Sequence, residues 1–328
     1  MIRTQRVPCN LCGSIDSAFL YNAKDRLHGT GDIFTYVQCK ECGLVYMNPQ
    51  VVLEDIEKLY PADYHPHSTT KKGIGSKARS LRNRIMKIPL IARLLKGLMN
   101  VKIVDSIYRK LNQQSRILDV GCGAGSFLNT VRTDKACEVY GVDISEAAVK
   151  EAKSSFGLDI FKGAVTEAPL SDAYFDVITA WWYLEHIPDP HATVARISSL
   201  LKHNGYFIMG VPNFNSFHAK HFKDKWYHLD CPRHLCIWTP YTITRLLEEH
   251  GLSVTRIIYD KTPWGLLGSL QYLLYGDNIN PKYRNRLRQS FLLWILFLPC
   301  TMLVSLLKKS DIMVIYGRKV NSESAKVT

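Results

Sequence analysis

The sequence has no apolar run at its start, no internal repeat and no low-complexity tract. From its first ten residues, MIRTQRVPCN, we expect no secretory signal peptide. We therefore expect a cytosolic protein whose nine cysteines stay reduced. With 328 residues, 46% of them apolar, the chain is long enough for one large globular domain and one small one.

Acidic residues are nearly absent between Lys71 and Lys110, where twelve lysines and arginines accompany a single acid, Asp105. Such a basic block indicates an anionic partner, either a nucleic acid or a phospholipid surface, and a solvated linker is the alternative. Between residues 79 and 110, Leu, Ile, Met and Val recur at helical spacing among the basic residues. This pattern predicts basic amphipathic helices and favours lipid over nucleic acid. Residues 51–115 are thus predicted to be a linker followed by these helices.

Charge is also absent from Phe291 to Leu307, an apolar run of seventeen residues. A shorter apolar run covers Trp264 to Tyr275. A membrane-spanning helix takes roughly 20 apolar residues, so both runs are short for a crossing. Pro299 also interrupts the longer one. We predict an apolar helical insert over residues 261–310 that lies on a membrane surface, and a wholly buried core helix is the alternative.

Four cysteines form two C-x-x-C pairs that are separated by twenty-six residues, and a glycine follows each pair. The four are Cys9, Cys12, Cys39 and Cys42. Two such turns present four thiolates to one tetrahedral metal, which predicts zinc, with a redox pair or coincidence as the alternative. Four cysteine ligands leave no coordination position open, so this zinc would be structural. The segments FTYVQC and GLVYMNP fit the hairpin of a zinc ribbon, predicted over residues 1–50.

From Arg116 the sequence alternates strand, glycine loop, helix and strand, which predicts a βαβ unit. The loop has the spacing G-x-G-x-G, whereas dinucleotide sites have G-x-G-x-x-G. Asp119 precedes it, and a carboxylate there would repel a pyrophosphate but attract the ammonium group of a methionine moiety. Asp143 ends the second strand, where an acid can accept hydrogen bonds from both hydroxyls of a ribose. The ligand is therefore predicted to carry a cationic end and a ribose.

Residues 116 to about 259, with 312 to 318, resemble a class I S-adenosylmethionine-dependent methyltransferase. Five motifs carry this resemblance in the family's order: Asp119–Gly125, Val142–Asp143, Phe175–Ile178, Leu184–Pro190 and Leu201–Asn213. The resemblance implies an α/β fold with a doubly wound, Rossmann-like sheet of seven strands, in a methyltransferase domain over residues 116–328. It also implies that the last two strands, within Gly251–Asp260 and Asp311–Val320, pair side by side, so both ends of the apolar insert return to one place.

The same resemblance implies which residues bind S-adenosylmethionine. They are Asp119, Gly121, Gly123, Gly125, Asp143, Ile144, Ala164, Val165, Ala180 and Trp181. Asp119 with the first two glycines would line the methionine end, and Ala180 and Trp181 would line the mouth of the site. Many relatives carry an acid near Ala164 for the adenine amino group, so here we expect backbone groups of residues 164 and 165 to make that contact.

Methyl transfer from this donor needs in-line positioning and removal of an acceptor proton. The candidates for that proton are His186, after the fourth strand, and His228 and His234. The latter two lie in a segment, residues 213–240, that resembles the substrate-side insert of methyltransferases for surface glycans and lipids. Packing roles are the alternatives for all three histidines. A metal site formed by His228, His234 and two cysteines, Cys231 and Cys236, is a further alternative.

Three functions remain open at this stage. The first is methylation of an O or C atom of a small molecule, such as a sugar, a glycolipid or a lipid-linked intermediate, on the cytoplasmic face of a membrane. The second is methylation of RNA, and the third is a module that binds zinc and S-adenosylmethionine without catalysis. Thr-Ala-Trp-Trp stands where an N-P-P-Y tetrad would serve nucleobase amines, and the ligand motifs are intact. The sequence therefore favours the first function and argues against a nucleic-acid partner.

Overall fold

The computed structural model describes residues 2–60, 108–276 and 287–320, apart from residues 28, 30 and 109. Nearly all of the predicted linker and basic helices, residues 61–107, lies outside the described residues. The same holds for the polar segment 277–286 within the apolar insert.

The N-terminal region contributes strands to two small antiparallel sheets next to the two cysteine turns. Its strands are β1 (Thr4–Gln5), β2 (Ser17–Lys24), β3 (Ile33–Cys39), β4 (Val45–Met47) and β5 (Gln50–Val51), followed by a short 3-10 helix over Leu53–Leu59. β2, β3 and β4 pair in sequence order, and β1 pairs with β5. The hairpin of β3 and β4 encloses the second cysteine turn, as the flanking strand-like segments predict.

The large domain is a mixed sheet of seven strands. They are β6 (Arg116–Val120), β7 (Glu138–Asp143), β8 (Phe161–Lys162), β9 (Phe175–Trp181), β10 (Leu201–Pro212), β12 (Leu252–Tyr259) and β13 (Ile312–Lys319). Their order in the sheet is β12-β13-β10-β9-β6-β7-β8. All neighbours are parallel except β13, which is antiparallel to both β10 and β12. This topology confirms the predicted Rossmann-like fold, including the antiparallel pair of the last two strands.

Helices connect these strands and begin at caps that the sequence supplies. They are α1 (Ser126–Lys135), α2 (Glu146–Phe156), α3 (Pro190–Leu200), α4 (Phe217–Phe222) and α5 (Pro240–Glu249). Side chains of Ser145 and Asp189 accept the first free amides of α2 and α3. Strand order reverses between β6 and β9, so the loop after β6 opens at the switch point where ligands bind in this fold.

The sheet of β2, β3 and β4 gains its fourth strand from the large domain. This strand is β11 (Cys236–Ile237), which belongs to the predicted substrate-side insert and pairs antiparallel with β4. The hydroxyl of Tyr36 in β3 also donates a hydrogen bond to the carbonyl of His234, at 2.8 Å. One continuous apolar core includes residues of both regions. The zinc-ribbon boundary at residue 50 stays a prediction, and the described ribbon is packed into the rest of the protein.

The apolar insert forms two helices between β12 and β13: α6 (Trp264–Tyr275) and α7 (Phe291–Leu306). Within the described ranges, no helix combines the length and the apolar character that a membrane crossing requires. Only one stripe of α7 is buried, and its outer face is exposed. The alternative of a wholly buried core helix is therefore wrong.

Candidate active site and metal-binding cysteines

The loop after β6 is a tight turn that brings backbone amides to the end of β7. Gly121 and Gly123 have φ angles of 70° and 53°, which only glycine adopts readily. The amide of Gly123 donates to Oδ2 of Asp143 at 2.8 Å, and the amide of Ser145 donates to Oδ1 at 2.8 Å. Each carboxylate oxygen accepts one hydrogen bond here and can accept another, so Asp143 can still bind a ribose diol.

Asp119 is buried at the end of β6. Its Oδ1 accepts a hydrogen bond of 2.6 Å from the hydroxyl of Thr179 in β9. Burial raises the pKa of Asp119 to about 7, against the effect of that hydrogen bond, and the charge of Asp143 raises it further. A cation placed beside Asp119 would favour the ionised form. The residues present thus fit a ligand with a positive charge at this end.

Tyr183 is a member of this crevice that the sequence motifs did not assign to the cofactor. A Cβ built on Gly121 would lie 2.5 Å from Cδ2 of Tyr183, so the ring rests directly on the glycine loop. Burial raises the pKa of the Tyr183 hydroxyl, with the charge of Asp143 adding to the effect. The ring of Tyr183 therefore covers the space between the glycine loop and the carboxyl end of β7.

The remaining predicted cofactor residues lie around the same edge of the sheet. Ala180 and Val165 are buried, whereas Ile144, just after β7, is exposed. The ring of Trp181 packs edge-on against Phe127 of α1, with centroids 5.8 Å apart.

The amide of Ala164 donates to Oε2 of Glu167 at 3.3 Å. Glu167 thus brings a carboxylate to the backbone of Ala164, the position near which many relatives carry an acid. The sequence motifs gave no signal for it.

The structure brings the three candidate histidines together. His186 lies in the 3-10 helix Leu184–His186 after β9, and its ring centroid is 4.7 Å from that of His234. His228 stacks on Trp182, with centroids 5.9 Å apart and ring planes 7° apart. The backbone carbonyl of His228 accepts from Nδ1 of His234 at 2.9 Å. These residues come from two separate segments, so only the fold assembles them.

Carbonyl contacts fix the tautomer of two of these rings. Nδ1 of His234 contacts the carbonyl of His228, and Nδ1 of His186 contacts the carbonyl of Arg233 and the hydroxyl of Tyr60, both at 3.0 Å; that hydroxyl can accept. A carbonyl only accepts, so each Nδ1 carries the proton and each Nε2 presents a lone pair. Burial lowers the pKa of both imidazoles, that of His186 to about 3. Both rings are therefore neutral at pH 7, as a proton acceptor must be.

Glu185 is fully buried beside these rings, a feature that the sequence did not reveal. Its Oε1 lies 3.9 Å from Nε2 of His234, and neither of its carboxylate oxygens has a hydrogen-bond partner among the described residues. Burial raises the pKa of Glu185 to about 8. An unsatisfied buried carboxyl is costly, which indicates that a bound molecule or ion completes this site.

Arg233 and Asp230 anchor the segment that carries His228 and His234. The Arg233 guanidinium donates to Asp230 at 2.7 Å and to Asp25 at 2.9 Å. Burial alone would raise the pKa of Asp230, but the charge of Arg233 outweighs it and holds that pKa well below its usual range. Asp230 is thus a fixed negative charge whose Oδ2 lies 3.9 Å from Nε2 of His234.

The four cysteines of the ribbon converge as the sequence predicts. Their sulfur atoms all lie within 4.8 Å of one another, with Cys9 to Cys42 and Cys12 to Cys39 both at 3.5 Å. Thiolates at ~2.3 Å from a tetrahedral zinc lie ~3.8 Å apart, whereas a disulfide requires ~2.05 Å. The arrangement is therefore compatible with a closed metal site and not with a disulfide.

The searched part of the chain contains one other group of potential metal ligands: Glu185, His186 and His234. Within that part, the alternative set with Cys231 and Cys236 does not converge with His228 and His234 in this way. A metal cation held by these three residues would therefore bind the histidine lone pairs that would otherwise accept the proton of the methyl acceptor.

The mixed sheet of seven strands, the glycine loop at its switch point and the acid that ends β7 together define a class I S-adenosylmethionine-dependent methyltransferase domain. Comparison with known proteins agrees: a family model described as a methyltransferase domain matches residues 91–257. The chain belongs to this methyltransferase domain family. The predicted fold and enzyme class are thus confirmed at the level of the domain.

Relatives of established name are similar over about a third of the chain. A ubiquinone biosynthesis O-methyltransferase of Nitrosomonas europaea is 32% identical over 123 residues, which are 36% of this chain and 52% of that protein. The protein of that name in Idiomarina loihiensis is 35% identical over 106 residues, 30% of this chain and 43% of that protein. The chain thus spans about half the length of the curated relatives it matches.

Among solved structures, an S-adenosylmethionine-dependent methyltransferase from Archaeoglobus fulgidus is similar with a TM-score of 0.44 and 21% identity. The match covers 69% of this chain and 98% of that one.

Proposed function

We propose that this protein transfers a methyl group from S-adenosylmethionine to a hydroxyl oxygen of a small-molecule acceptor. One observation carries the proposal: a single segment after β9 lies on the cofactor loop through Tyr183 and continues into the buried Glu185 and the half-buried His186, beside His234. The names of the related proteins support an oxygen acceptor.

The chemistry requires one bond to break and one to form. The acceptor oxygen attacks the methyl carbon, the bond from that carbon to sulfur breaks, and the acceptor loses its hydroxyl proton. We assign that proton to Nε2 of His234 or of His186, because each presents a lone pair on a neutral ring. The ionised Asp230 lies 3.9 Å from Nε2 of His234 and would stabilise the imidazolium that forms.

For the acceptor we propose a sugar, a glycolipid or a lipid-linked intermediate. Trp182 is 43% exposed and stacked on His228, which supplies a flat apolar face next to a cluster of polar groups. Such a combination of one aromatic wall and few polar groups suits an acceptor that is itself part polar and part apolar. We also propose a structural zinc on Cys9, Cys12, Cys39 and Cys42.

The test uses S-adenosylmethionine with a labelled methyl group and an extract of small molecules and lipids from the source cells. We expect label in a species that gains the mass of one CH2 group, together with the demethylated cofactor. His234→Ala and His186→Ala are made as separate variants. In at least one of them turnover should fall about a hundredfold while cofactor affinity stays unchanged. The matched control is His203→Ala, because His203 is exposed and lies outside the cluster.

Three outcomes would contradict the proposal. Label that enters only RNA would assign the protein to the nucleic-acid alternative. Absence of demethylated cofactor with every extract fraction would make it a binding module. Activity that is lost on chelation while the zinc of the four cysteines is retained, and that a divalent cation restores, would assign Glu185, His186 and His234 to a metal rather than to the acceptor proton.

A further inference from the structure

Helix α7 buries its two hydroxyl side chains together with one tryptophan and one leucine, and it exposes four of its leucines. Its buried stripe consists of Trp294, Leu298, Thr301 and Ser305. The two hydroxyls donate to backbone carbonyls beneath the helix, Thr301 to Lys261 at 2.7 Å and Ser305 to Tyr259 at 3.0 Å. The opposite face is leucine-rich and exposed. A helix that packs on a core in water has polar side chains on its outer face. The exposed leucines of α7 therefore need another explanation.

Helix α6 continues this exposed apolar surface. It buries Ser269 and Gln271 and exposes its last three residues, including Leu274 at 68%. Ten of the eighteen exposed large apolar side chains of the described residues belong to these helices and their ends. We call them the apolar face: Trp264, Leu273, Leu274, Tyr275, Leu292, Ile295, Leu296, Leu303, Leu306 and Leu307. A contiguous patch of this kind marks an interaction surface.

Positive charge surrounds the apolar face. Residues 261–310 contain seven lysines and arginines and one acid, Asp277. Among the described basic residues, Lys261 lies just before α6 and Lys308 just after α7, and both are exposed. The guanidinium of Arg288 lies 4.7 Å above the ring of Trp264, so a positive charge and an amphipathic aromatic ring occupy the same border. This combination is complementary to a layer of anionic headgroups over hydrocarbon.

The helices are joined tightly to the segment that carries the candidate active site. Gly265 and Gly268 let α6 approach this segment closely. A Cβ on Gly265 would collide with His228, and a Cβ on Gly268 would collide with Tyr227. Ser269 accepts a hydrogen bond from the amide of Tyr227 at 2.9 Å. A surface that holds α6 would therefore also hold the loop that carries His228.

We propose that the apolar face docks on the surface of an anionic phospholipid bilayer, with α6 and α7 lying in the interface. The leucines would enter the boundary between headgroups and acyl chains, and the flanking lysines and arginines would pair with lipid phosphates. The inference concerns the surface and stands apart from methyl transfer. If the proposed function also holds, docking brings a lipid-linked acceptor to the site.

The test is co-sedimentation of the full chain with vesicles of phosphatidylcholine alone and of phosphatidylcholine with phosphatidylglycerol. The intact protein should bind the anionic vesicles more tightly. Leu296→Gln, Leu303→Gln, Leu306→Gln combined should reduce binding by about tenfold or more, because each leucine loses its apolar contact with lipid. The matched control substitutes three exposed apolar residues of the ribbon region: Ile15→Gln, Phe19→Gln, Leu53→Gln. It should bind as the parent does.

A second variant tests the charge. Lys261→Gln with Lys308→Gln should weaken binding to the anionic vesicles, by roughly fivefold per lysine, and leave binding to neutral vesicles unchanged. Unfolding midpoints within experimental error of the parent would show that all variants fold.

Equal binding by the leucine variant and its parent, or no binding by the parent, would overturn the proposal. A dimer that only the leucine variant abolishes, with no binding to vesicles, would assign the apolar face to a second copy. None of these readouts depends on turnover, so failure of the proposed function leaves the result interpretable.

Discussion

The guanidinium of Arg233 and the carboxylate of Asp25, 208 residues apart, form an ion pair with both side chains fully buried. Two hydrogen bonds join them, at 2.9 and 3.1 Å. Asp25 follows β2 of the ribbon region, and Arg233 stands next to His234. The pair therefore ties the N-terminal region to the segment that carries the candidate active site.

We expect Asp25→Ala to lower the free energy of unfolding by about 3 to 5 kcal/mol, because it leaves a buried guanidinium with half of its partners. Urea denaturation measures this change. The matched control is Glu249→Gln, which removes one partner of the exposed pair Arg245–Glu249 and should cost ~0.5 kcal/mol or less. Equal effects of the two substitutions would mean that the buried pair does not hold the regions together.

Asp143 provides a test of the cofactor site. Asp143→Ala should weaken the binding of S-adenosylmethionine by about 1 to 3 kcal/mol, since buried ribose hydroxyls would lose their acceptor. Isothermal titration calorimetry gives this value, with Asp159→Ala, a substitution of an exposed acid, as control. Native affinity of the Asp143 variant would refute the ribose assignment.

The pKa of Asp119 predicts how cofactor binding depends on pH. In the free protein this pKa lies at about 7, above the usual value for aspartate, and a cationic ligand binds the ionised form best. Below pH 7, binding must first expel a proton. Affinity should therefore fall by up to about tenfold per pH unit between pH 7 and 5.5.

Two other ionisable groups of this crevice, the Cys122 thiol and the Tyr183 hydroxyl, do not titrate in this range. Burial raises the pKa of Cys122 and of Tyr183, so both stay neutral. In Asp119→Asn the affinity should be weaker at pH 7.5 and nearly independent of pH. Calorimetry between pH 5.5 and 7.5 checks both statements, and a flat profile in the parent would exclude Asp119 from the methionine end.

Most of the strands and helices were predictable from local patterns, and the resemblance to the methyltransferase family implied how the strands are arranged in the sheet. Buried strands, the glycine loop and the capped helices each carry a signal over five to fifteen consecutive residues. The cysteine turns are equally local. β11 is different, because two residues have no periodicity and their pairing with β4 depends on contacts almost 200 residues away.

Two features of the candidate site and insert were beyond the sequence patterns. Nothing in the motif around Glu185 indicates that its carboxyl is buried without a partner, since burial is a property of the packed fold. In α7 every position but a few is apolar, so hydrophobic periodicity shows no inner face. Thr301 and Ser305, four residues apart, could have indicated that inner face. Small hydroxyl side chains can donate hydrogen bonds to backbone carbonyls beneath a helix.

The last prediction concerns the zinc site, whose first turn contacts the loop after β9. Nδ2 of Asn10 donates to the carbonyl of Pro188 at 2.7 Å, and Nε2 of His191 lies 2.8 Å from the carbonyl of Leu11. Cys39→Ser with Cys42→Ser should abolish the zinc content measured by mass spectrometry of the purified protein. Because the turn braces the loop that carries His186, turnover should fall by about tenfold or more, as expected for a misplaced catalytic group.

Cofactor affinity should change little in this variant, because the hydrogen bonds that Gly123 and Ser145 donate to Asp143 involve no residue of the ribbon. The matched control is Cys300→Ser, which alters an exposed cysteine on α7 and should retain zinc and turnover. Unchanged zinc content in the double variant would refute the metal site. Loss of zinc with full turnover would show that the ribbon does not position the loop after β9.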